Sequence, residues 1–319
     1  MFAQINLDLV PLTVPAQRIN KIFYYYGQLY LCSNSGLIKT SPAGSVIEIT
    51  GISNGLPSNE VLSYFQEVNE NRWIGTDKGV ARVSQGIVTI FNSNNSDMPE
   101  GRIIAISGDN TGRVYFASAS GGLGVYFNNS ISKFTVSNSD IPENALTGLT
   151  VDMNGTVFIA TAGKGIGKLE NNSWTVFSRS RGNFPEDIIE NIAVTYDNTI
   201  WVGTRNNGLI KSEGSAWIPF NMSNSPILQN YIQALSADDQ KVWVGVRNAI
   251  LSFDGTNWET FSLNNDILIT SLVIRGSRKY VSLQNSGIFK AVSDPWTFHK
   301  GDYNTFQDAN VTCSYSDNQ

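Results

Sequence analysis

A repeat of 42 or 43 residues runs through most of this 319-residue chain and limits its fold more than any other feature. An aromatic residue followed by small or apolar residues recurs seven times, in steps of 42 or 43 residues with a last step of 37. Its members are Tyr30, Trp73, Tyr115, Phe158, Trp201, Trp243 and Tyr280. A second series keeps nearly the same spacing and consists of Ile49, Phe91, Phe134, Phe177, Phe220, Phe261 and Phe298. Two registers with one period indicate a chain of repeated structural units.

Each unit has the pattern of four short strands. In the sixth repeat, apolar and polar residues alternate over 232–236, and apolar runs at 242–245, 250–253 and 258–261 follow, separated by polar turns. Four strands in about forty residues are typical of one blade of a β-propeller. Gly- and Asn-rich breaks recur too often for helices of ten or more residues. We therefore predict an all-β fold, a seven-bladed β-propeller of four-stranded antiparallel blades.

The whole chain, 1–319, is predicted to form this single propeller domain. Its repeats cover 19–59, 60–101, 102–144, 145–187, 188–230, 231–268 and 269–310, with terminal strands in 1–18 and 311–319. Residues 5–9 match the outermost strand of a blade and residues 310–316 match the innermost. A blade mixed from these two would lack its middle strands. Either the C-terminal strand packs irregularly, or the chain is a fragment of a longer multi-propeller protein.

The composition excludes several classes of function. With 22 Lys and Arg against 27 Asp and Glu, the net charge of −5 provides no basic surface for nucleic acid or an anionic membrane. No apolar run of about 18 residues occurs, which excludes membrane insertion as a helix. Two cysteines, Cys32 and Cys313, are too few for a disulfide framework or a zinc site, and their positions leave open whether they pair. No signal peptide is visible, and no metal or cofactor is expected.

The best repeats resemble a known family. Residues 73–80 read W-I-G-T-D-K-G-V, residues 201–209 read W-V-G-T-R-N-N-G-L, and the linker at 54–61 reads N-G-L-P-S-N-E-V. These segments resemble the two-component regulator propeller repeat. The resemblance implies a periplasmic or extracellular sensor propeller, of the kind found in hybrid histidine kinases, especially of Bacteroidetes, where many respond to glycan fragments. The sequence departs from the pattern at Ala117, Ala160 and Ala249, and no kinase or membrane segment is present. The resemblance therefore implies the fold and a binding role, with the ligand left open.

An enzyme is the less favoured interpretation. His299 is the one histidine, and it lies in the predicted last outer strand, away from the channel where streptogramin-lyase-like propellers use histidine. Metal-ligand spacings of His, Cys and carboxylates are missing. Asp77, Glu186 and Asp187 could lie near one face, but nothing marks two of them as a glycosidase pair. We predict no catalytic residues.

A ligand is expected where loops gather. The turns between second and third strands and the linkers between blades should share one face of the propeller. The candidate ligand-binding residues there are Asp77, Lys78, Lys164, Arg205, Asn206, Arg247, Asn248 and Gln284. Four cations in equivalent turns of an acidic chain favour a carboxylated or sulfated ligand.

Two classes of function remain. The first is a non-catalytic sensor that binds a glycan or another small polar ligand at the channel mouth. The alternative is a protein–protein interaction scaffold in a surface or secretion assembly, which a large exposed apolar patch would favour.

Overall fold

The computed structural model describes residues 4–6, 9–16, 18–238, 241–263, 268–275, 278–284 and 287–291. Over these residues the chain forms seven sheets of four or five strands, joined by turns and by two short 3₁₀ segments, Ile52–Asn54 and Arg179–Arg181. The predicted seven-bladed β-propeller is confirmed. No helix in the described part of the chain has the length and apolar character needed to cross a membrane.

The strands follow the repeat. Two short strands come first, β1 (Gln4–Asn6) and β2 (Leu9–Leu12). Blade 1 contains β3 (Ile19–Tyr25), β4 (Gln28–Ser33), β5 (Gly36–Thr40) and β6 (Val46–Thr50). Blade 2 contains β7 (Val61–Gln66), β8 (Arg72–Thr76), β9 (Gly79–Ser84) and β10 (Ile87–Phe91). Blade 3 contains β11 (Ile103–Gly108), β12 (Val114–Ser118), β13 (Gly122–Phe127) and β14 (Ser130–Phe134). Blade 4 contains β15 (Leu146–Val151), β16 (Val157–Thr161), β17 (Ile166–Glu170) and β18 (Ser173–Phe177). Blade 5 contains β19 (Ile189–Val194), β20 (Ile200–Thr204), β21 (Leu209–Glu213) and β22 (Ala216–Phe220). Blade 6 contains β23 (Ala234–Ala237), β24 (Val242–Val246), β25 (Ala249–Phe253) and β26 (Trp258–Ser262). Blade 7 contains β27 (Ile269–Arg275), β28 (Arg278–Leu283) and β29 (Gly287–Ala291).

Within each blade the strands are antiparallel neighbours in chain order, with the first strand innermost. Every innermost strand contacts the innermost strand of the next blade, and β27 contacts β3, which closes the ring. The seven innermost strands therefore surround a central channel.

Closure of the ring differs from the expectation. Strand β2 pairs antiparallel with β29, with Leu9 opposite Ala291, and is the outermost strand of blade 7. Strand β1 adds in parallel to β26 of blade 6. In the described residues the outer-strand role belongs to β2, which completes the three strands β27, β28 and β29 of blade 7 and covers a sheet edge whose main-chain groups would otherwise be unpaired. Trp296, Phe298, His299, Cys313 and the predicted inner strand at 310–316 lie outside the described residues.

Among the described residues, the core consists of seven apolar clusters, one between each pair of neighbouring blades. All seven aromatic residues of the first series are buried, and Trp73 is completely inaccessible. Trp73 packs against Phe116 and Tyr126 of blade 3, with ring centroids 5.3 and 4.7 Å away. The interior aromatics therefore serve the packing between blades, and the outer Trp174, Trp217 and Trp258 are half-buried.

Two residues after the first-series aromatic residue, several repeats have a glycine. A larger residue would collide there with the next blade, which lies very close. A Cβ atom on Gly203 would lie 2.8 Å from Cγ2 of Ile232, and one on Gly245 would lie 2.8 Å from Cγ2 of Ile269. The equivalent residue in blade 4 is Ala160, which pairs across the hairpin with Gly148.

Candidate functional site

The predicted candidate residues lie at one end of the propeller, which we call the linker face. It carries the linkers between blades and the turns between second and third strands. The amide N–H groups of Gly36, Gly165 and Gly208 in these turns donate to linker carbonyl oxygens of Asn59, Asp187 and Asn230 at 2.9–3.0 Å. Turns and linkers therefore form one continuous surface.

In several of these turns, a buried threonine hydroxyl forms hydrogen bonds to the main chain of the turn. The Thr76 hydroxyl donates to the Gly79 carbonyl oxygen at 2.9 Å and accepts from the Lys78 amide at 3.1 Å. The Thr204 hydroxyl bonds the Gly208 carbonyl and the Asn207 amide in the same way. Such bonds fix the local backbone, so that exposed turn side chains stand on a rigid base.

The final glycine of the motif has a left-handed backbone. Gly79 has φ of 114°, and a Cβ atom there would lie 2.4 Å from the Phe91 carbonyl oxygen. In blade 6 the turn has the same two-residue length, and Asn248 adopts the left-handed conformation with φ of 65° in place of a glycine. This explains why Ala249 is accepted where other repeats have glycine.

The carboxylates considered as a catalytic pair support the linker instead. Oε1 of Glu186 accepts from the amides of Asp187 and Ile188 at 2.9 and 3.2 Å. Oδ1 of Asp187 accepts from the Arg179 amide at 2.8 Å. Asn59, Asn144 and Asn230 occupy the position equivalent to Asp187, and each accepts one main-chain amide. These side chains are therefore structural acceptors.

Innermost strands are irregular where they leave the linker face. In six of them the pairing register shifts at one residue, and the shifted residues are Asn20, Leu62, Ile104, Thr147, Glu190 and Thr270. An irregularity of this kind turns a side chain away from its usual direction. At one of these positions, the Thr147 hydroxyl donates to the Ile189 carbonyl oxygen of the next blade at 2.7 Å.

Glu190, at the equivalent position of blade 5, forms an ion pair with Arg205, one of the predicted candidate residues. One carboxylate oxygen of Glu190 lies 2.5 Å from Nε and Nη2 of Arg205. The side chain of Glu190 is 9% exposed and that of Arg205 is 56% exposed. This hydrogen bond to Glu190 raises the pKa of Arg205 above its ordinary value, and the guanidinium also lies 5.8 Å from the ring centroid of Tyr231.

A second charged group lies at the start of blades 1 to 3. Glu60 forms ion pairs with Arg18 and, at 3.7 Å, with Arg102. Arg18, Glu60 and Arg102 are at equivalent positions, each directly before an innermost strand. Sequence reasoning missed them, although their spacing of 42 residues matches the repeat. The linker face therefore carries carboxylates paired with cations in addition to the predicted turn residues.

The structure places all eight candidates in the second-to-third-strand turns. Lys78, Lys164, Arg205, Asn206 and Arg247 are exposed, and Asp77, Asn248 and Gln284 are half-buried. Lys164 also lines a groove of about 670 Å³ together with Arg181, Ser178 and Trp174. Arg181 is a further cation that sequence reasoning missed, because it lies on a linker.

Comparison with known proteins gives similarity at the level of structure. No family model matches the chain, and no curated protein matches its sequence. A solved structure with TM-score 0.72 and 18% identity is the extracellular domain of BT3049, assigned to the hybrid two-component systems of B. thetaiotaomicron. The match covers 88% of this chain and 40% of that domain. The two share the propeller fold. The chain thus spans less than half the length of this sensor domain, and the resemblance to sensor propellers holds in fold.

Other propellers are similar to nearly the same degree. Virginiamycin B lyase from Staphylococcus aureus has TM-score 0.71 and 14% identity, and the match covers 89% of this chain and 98% of the lyase. YCF48, solved bound to D1 peptide, has TM-score 0.66 and 13% identity, with 92% of this chain and 98% of that chain covered. These proteins include an enzyme and a peptide-binding protein, so the fold by itself does not select one function.

Proposed function

We propose that this chain is a non-catalytic sensor-type propeller that binds a glycan or another small polar ligand at the linker face. The location would be periplasmic or extracellular, as for the sensor domain to which it is similar. The observation that supports a site there is the placement of exposed Lys78, Lys164, Arg205 and Arg247 on turns of one face, above hydroxyls that hold several of those turns rigid.

The ligand class follows from Arg205. Its guanidinium is already oriented by Glu190 and is more than half exposed. A planar guanidinium binds carboxylate or sulfate oxygens with two parallel hydrogen bonds. A carboxylated or sulfated glycan would share this guanidinium with Glu190, and the positive charges of neighbouring turns would favour its approach.

A catalytic role has less support. Similarity to a lyase extends to the fold, and a hydrolase of the paired-carboxylate kind needs two acids facing the substrate. Glu186 and Asp187 direct oxygens to main-chain amides of their own linker. Among the described residues, no group of three His, Cys, Asp or Glu side chains could hold a metal ion.

Two substitutions with opposite effects test the proposal. Glu190→Gln removes the competing charge and should strengthen binding of a carboxylated or sulfated oligosaccharide, whereas Arg205→Ala should weaken it about tenfold or more. Binding is measured on an array of such oligosaccharides and then by calorimetry. Lys241→Ala serves as the control, because Lys241 is also ion-paired, 2.9 Å from Glu259, but lies beside a first-to-second-strand turn at the opposite end. Equal affinity for all four proteins, or absence of any bound oligosaccharide, would contradict the proposal.

The interaction scaffold has one specific observation in its favour. Strand β6 is the outer edge of blade 1 and exposes Val46, Ile47 and Ile49 by 42–54%. The added strand β1 on blade 6 gives an example of a further strand on an outer edge of this propeller. A partner bound along β6 would be insensitive to substitution of Glu190 and Arg205, which separates the two proposals.

A further inference from the structure

The opposite end of the propeller contains a cavity of about 450 Å³. We call this end the hairpin face, because it carries the turns between first and second strands. The cavity spans blades 1 to 4, and Phe65, Val114 and Val151 contribute apolar surface to it. Its volume is in the range of small-molecule binding sites.

Tyr26 at the edge of this cavity has an unusual conformation. It forms a two-residue turn with Gly27, and the two φ angles are 46° and 78°. The equivalent left-handed turns between third and fourth strands have Asn-Asn at 128–129 and 171–172. Asparagine suits this conformation, whereas a bulky aromatic residue is disfavoured there. The Tyr26 side chain is nevertheless 55% exposed, so burial in the core does not account for the choice of residue.

The charged groups of the cavity are occupied within the protein. Glu67 accepts a hydrogen bond from the Trp73 indole N–H at 2.5 Å. Asp109 accepts from the amides of Thr111 and Arg113 and from the Tyr115 hydroxyl at 2.8–3.0 Å. The Arg113 guanidinium lies 4.7 Å from the Phe127 ring centroid and 3.7 Å from Asp109.

Asp152 likewise accepts from the amides of Asn154 and Thr156 at 2.9 and 2.8 Å, and the remaining polar side chains are neutral amides. Gln66 accepts from the Tyr64 hydroxyl through its oxygen, which leaves its amide nitrogen as a donor. Asn69 accepts the Asn71 amide through its oxygen and likewise keeps two N–H donors. Asn110 is exposed at the same cavity. Together with Tyr26, these side chains form a rim of uncharged hydrogen-bonding groups around an apolar surface.

From this arrangement we infer a binding site for a neutral saccharide at the hairpin face, with Tyr26 as the stacking residue. A sugar ring has one face of C–H groups that packs on an aromatic ring, and its hydroxyls both donate to and accept from amides. An anionic ligand fits poorly beside Glu67, Asp109 and Asp152, which all line the cavity. The inference goes beyond the proposed function, because it concerns the other face and an uncharged ligand.

The test uses the full chain and an array of neutral di- to tetrasaccharides, followed by calorimetry on those that bind. Tyr26→Asn should weaken binding about tenfold, because the stacking surface is lost. The same change should leave the melting temperature unchanged or higher, because asparagine is favoured at left-handed φ. A stabilised protein that no longer binds distinguishes a ligand contact from a structural role.

Gln85→Asn is the matched control. Gln85 is exposed and precedes Gly86 in the same kind of turn, with φ angles of 50° and 80°, and it does not line the cavity. This variant should bind as the wild type does, whereas Asn110→Ala should bind more weakly. Equal binding by wild type and Tyr26→Asn, or no neutral saccharide bound by the wild type, would overturn the inference. Because Glu190 and Arg205 are at the other end, failure here leaves the result for the linker face unaffected.

Discussion

Replacement of Gly203 by alanine should destabilise the propeller through contact with the neighbouring blade. The new Cβ would lie 2.8 Å from Cγ2 of Ile232 and 3.2 Å from Cβ of Asn191, and both residues are completely buried. Ile232 cannot easily withdraw, since its amide donates to the Thr204 carbonyl at 3.0 Å. Overpacking of a core by a methyl group typically costs about 1–3 kcal/mol. The loss of backbone freedom in the unfolded chain offsets about 0.4–1 kcal/mol of this.

We therefore expect the free energy of unfolding to fall by about 1.3 kcal/mol, and by no more than about 2.6 kcal/mol, measured by equilibrium urea denaturation. Gly163→Ala is the control, because a Cβ on Gly163 meets no atom within 4 Å and its φ is outside the left-handed range. That variant should be as stable as the wild type or more stable. If Gly203→Ala were equally tolerated, the glycine would not be explained by the approach of the next blade.

Two further predictions concern the core and the closure of the ring. Burial raises the pKa of the Cys32 thiol and of the Tyr64 hydroxyl, so the folded state holds these protons more tightly than the unfolded state. The contribution of these two groups to stability should be constant below the ordinary thiol pKa of 9.0 and fall as pH rises above it; melting temperatures measured upward from this pH check the sign, and a rise would refute it. Leu12→Asp should cost about 3 kcal/mol or more, because Leu12 is 6% exposed and belongs to the apolar cluster between blades 7 and 1. Thr13→Asp, at an exposed neighbour, should have little effect in the same thermal melts, and equal effects would argue against closure through β2.

The repeated parts of the fold were predictable because the same residue types recur at equivalent positions of successive repeats. Trp201, Gly203 and Thr204 have separate physical roles, namely packing between blades, close approach and turn support, and each role recurs in other blades. Closure was not predictable in this way. Strand β2 occurs once and contains Pro11, which a strand tolerates at the edge of a sheet. Its partner β29 is far away in the sequence.

The candidate site was predictable in position but not in charge. The turns that hold Lys164 and Arg205 follow directly from the repeat, and the structure places them on one face. The carboxylate beside Arg205 belongs to Glu190, where the strand register shifts by one residue. The alternation of apolar and polar residues along a strand predicts which face of the sheet each side chain occupies. It does not predict where the pairing register shifts. Tyr26 was missed for another reason: its turn was identified only by comparison of φ angles.

The pairing of β2 with β29 has a consequence for the order of folding. Residues 9–12 leave the ribosome long before residues 287–291 are synthesised. Six blades can form their hairpins from neighbouring segments, whereas the seventh sheet must wait for the two ends of the chain to meet. Until then the edge of β29 and the apolar side of the last blade stay uncovered. We expect this final step to be slow, and the period before it to be the one in which the nascent propeller is most prone to associate with other chains.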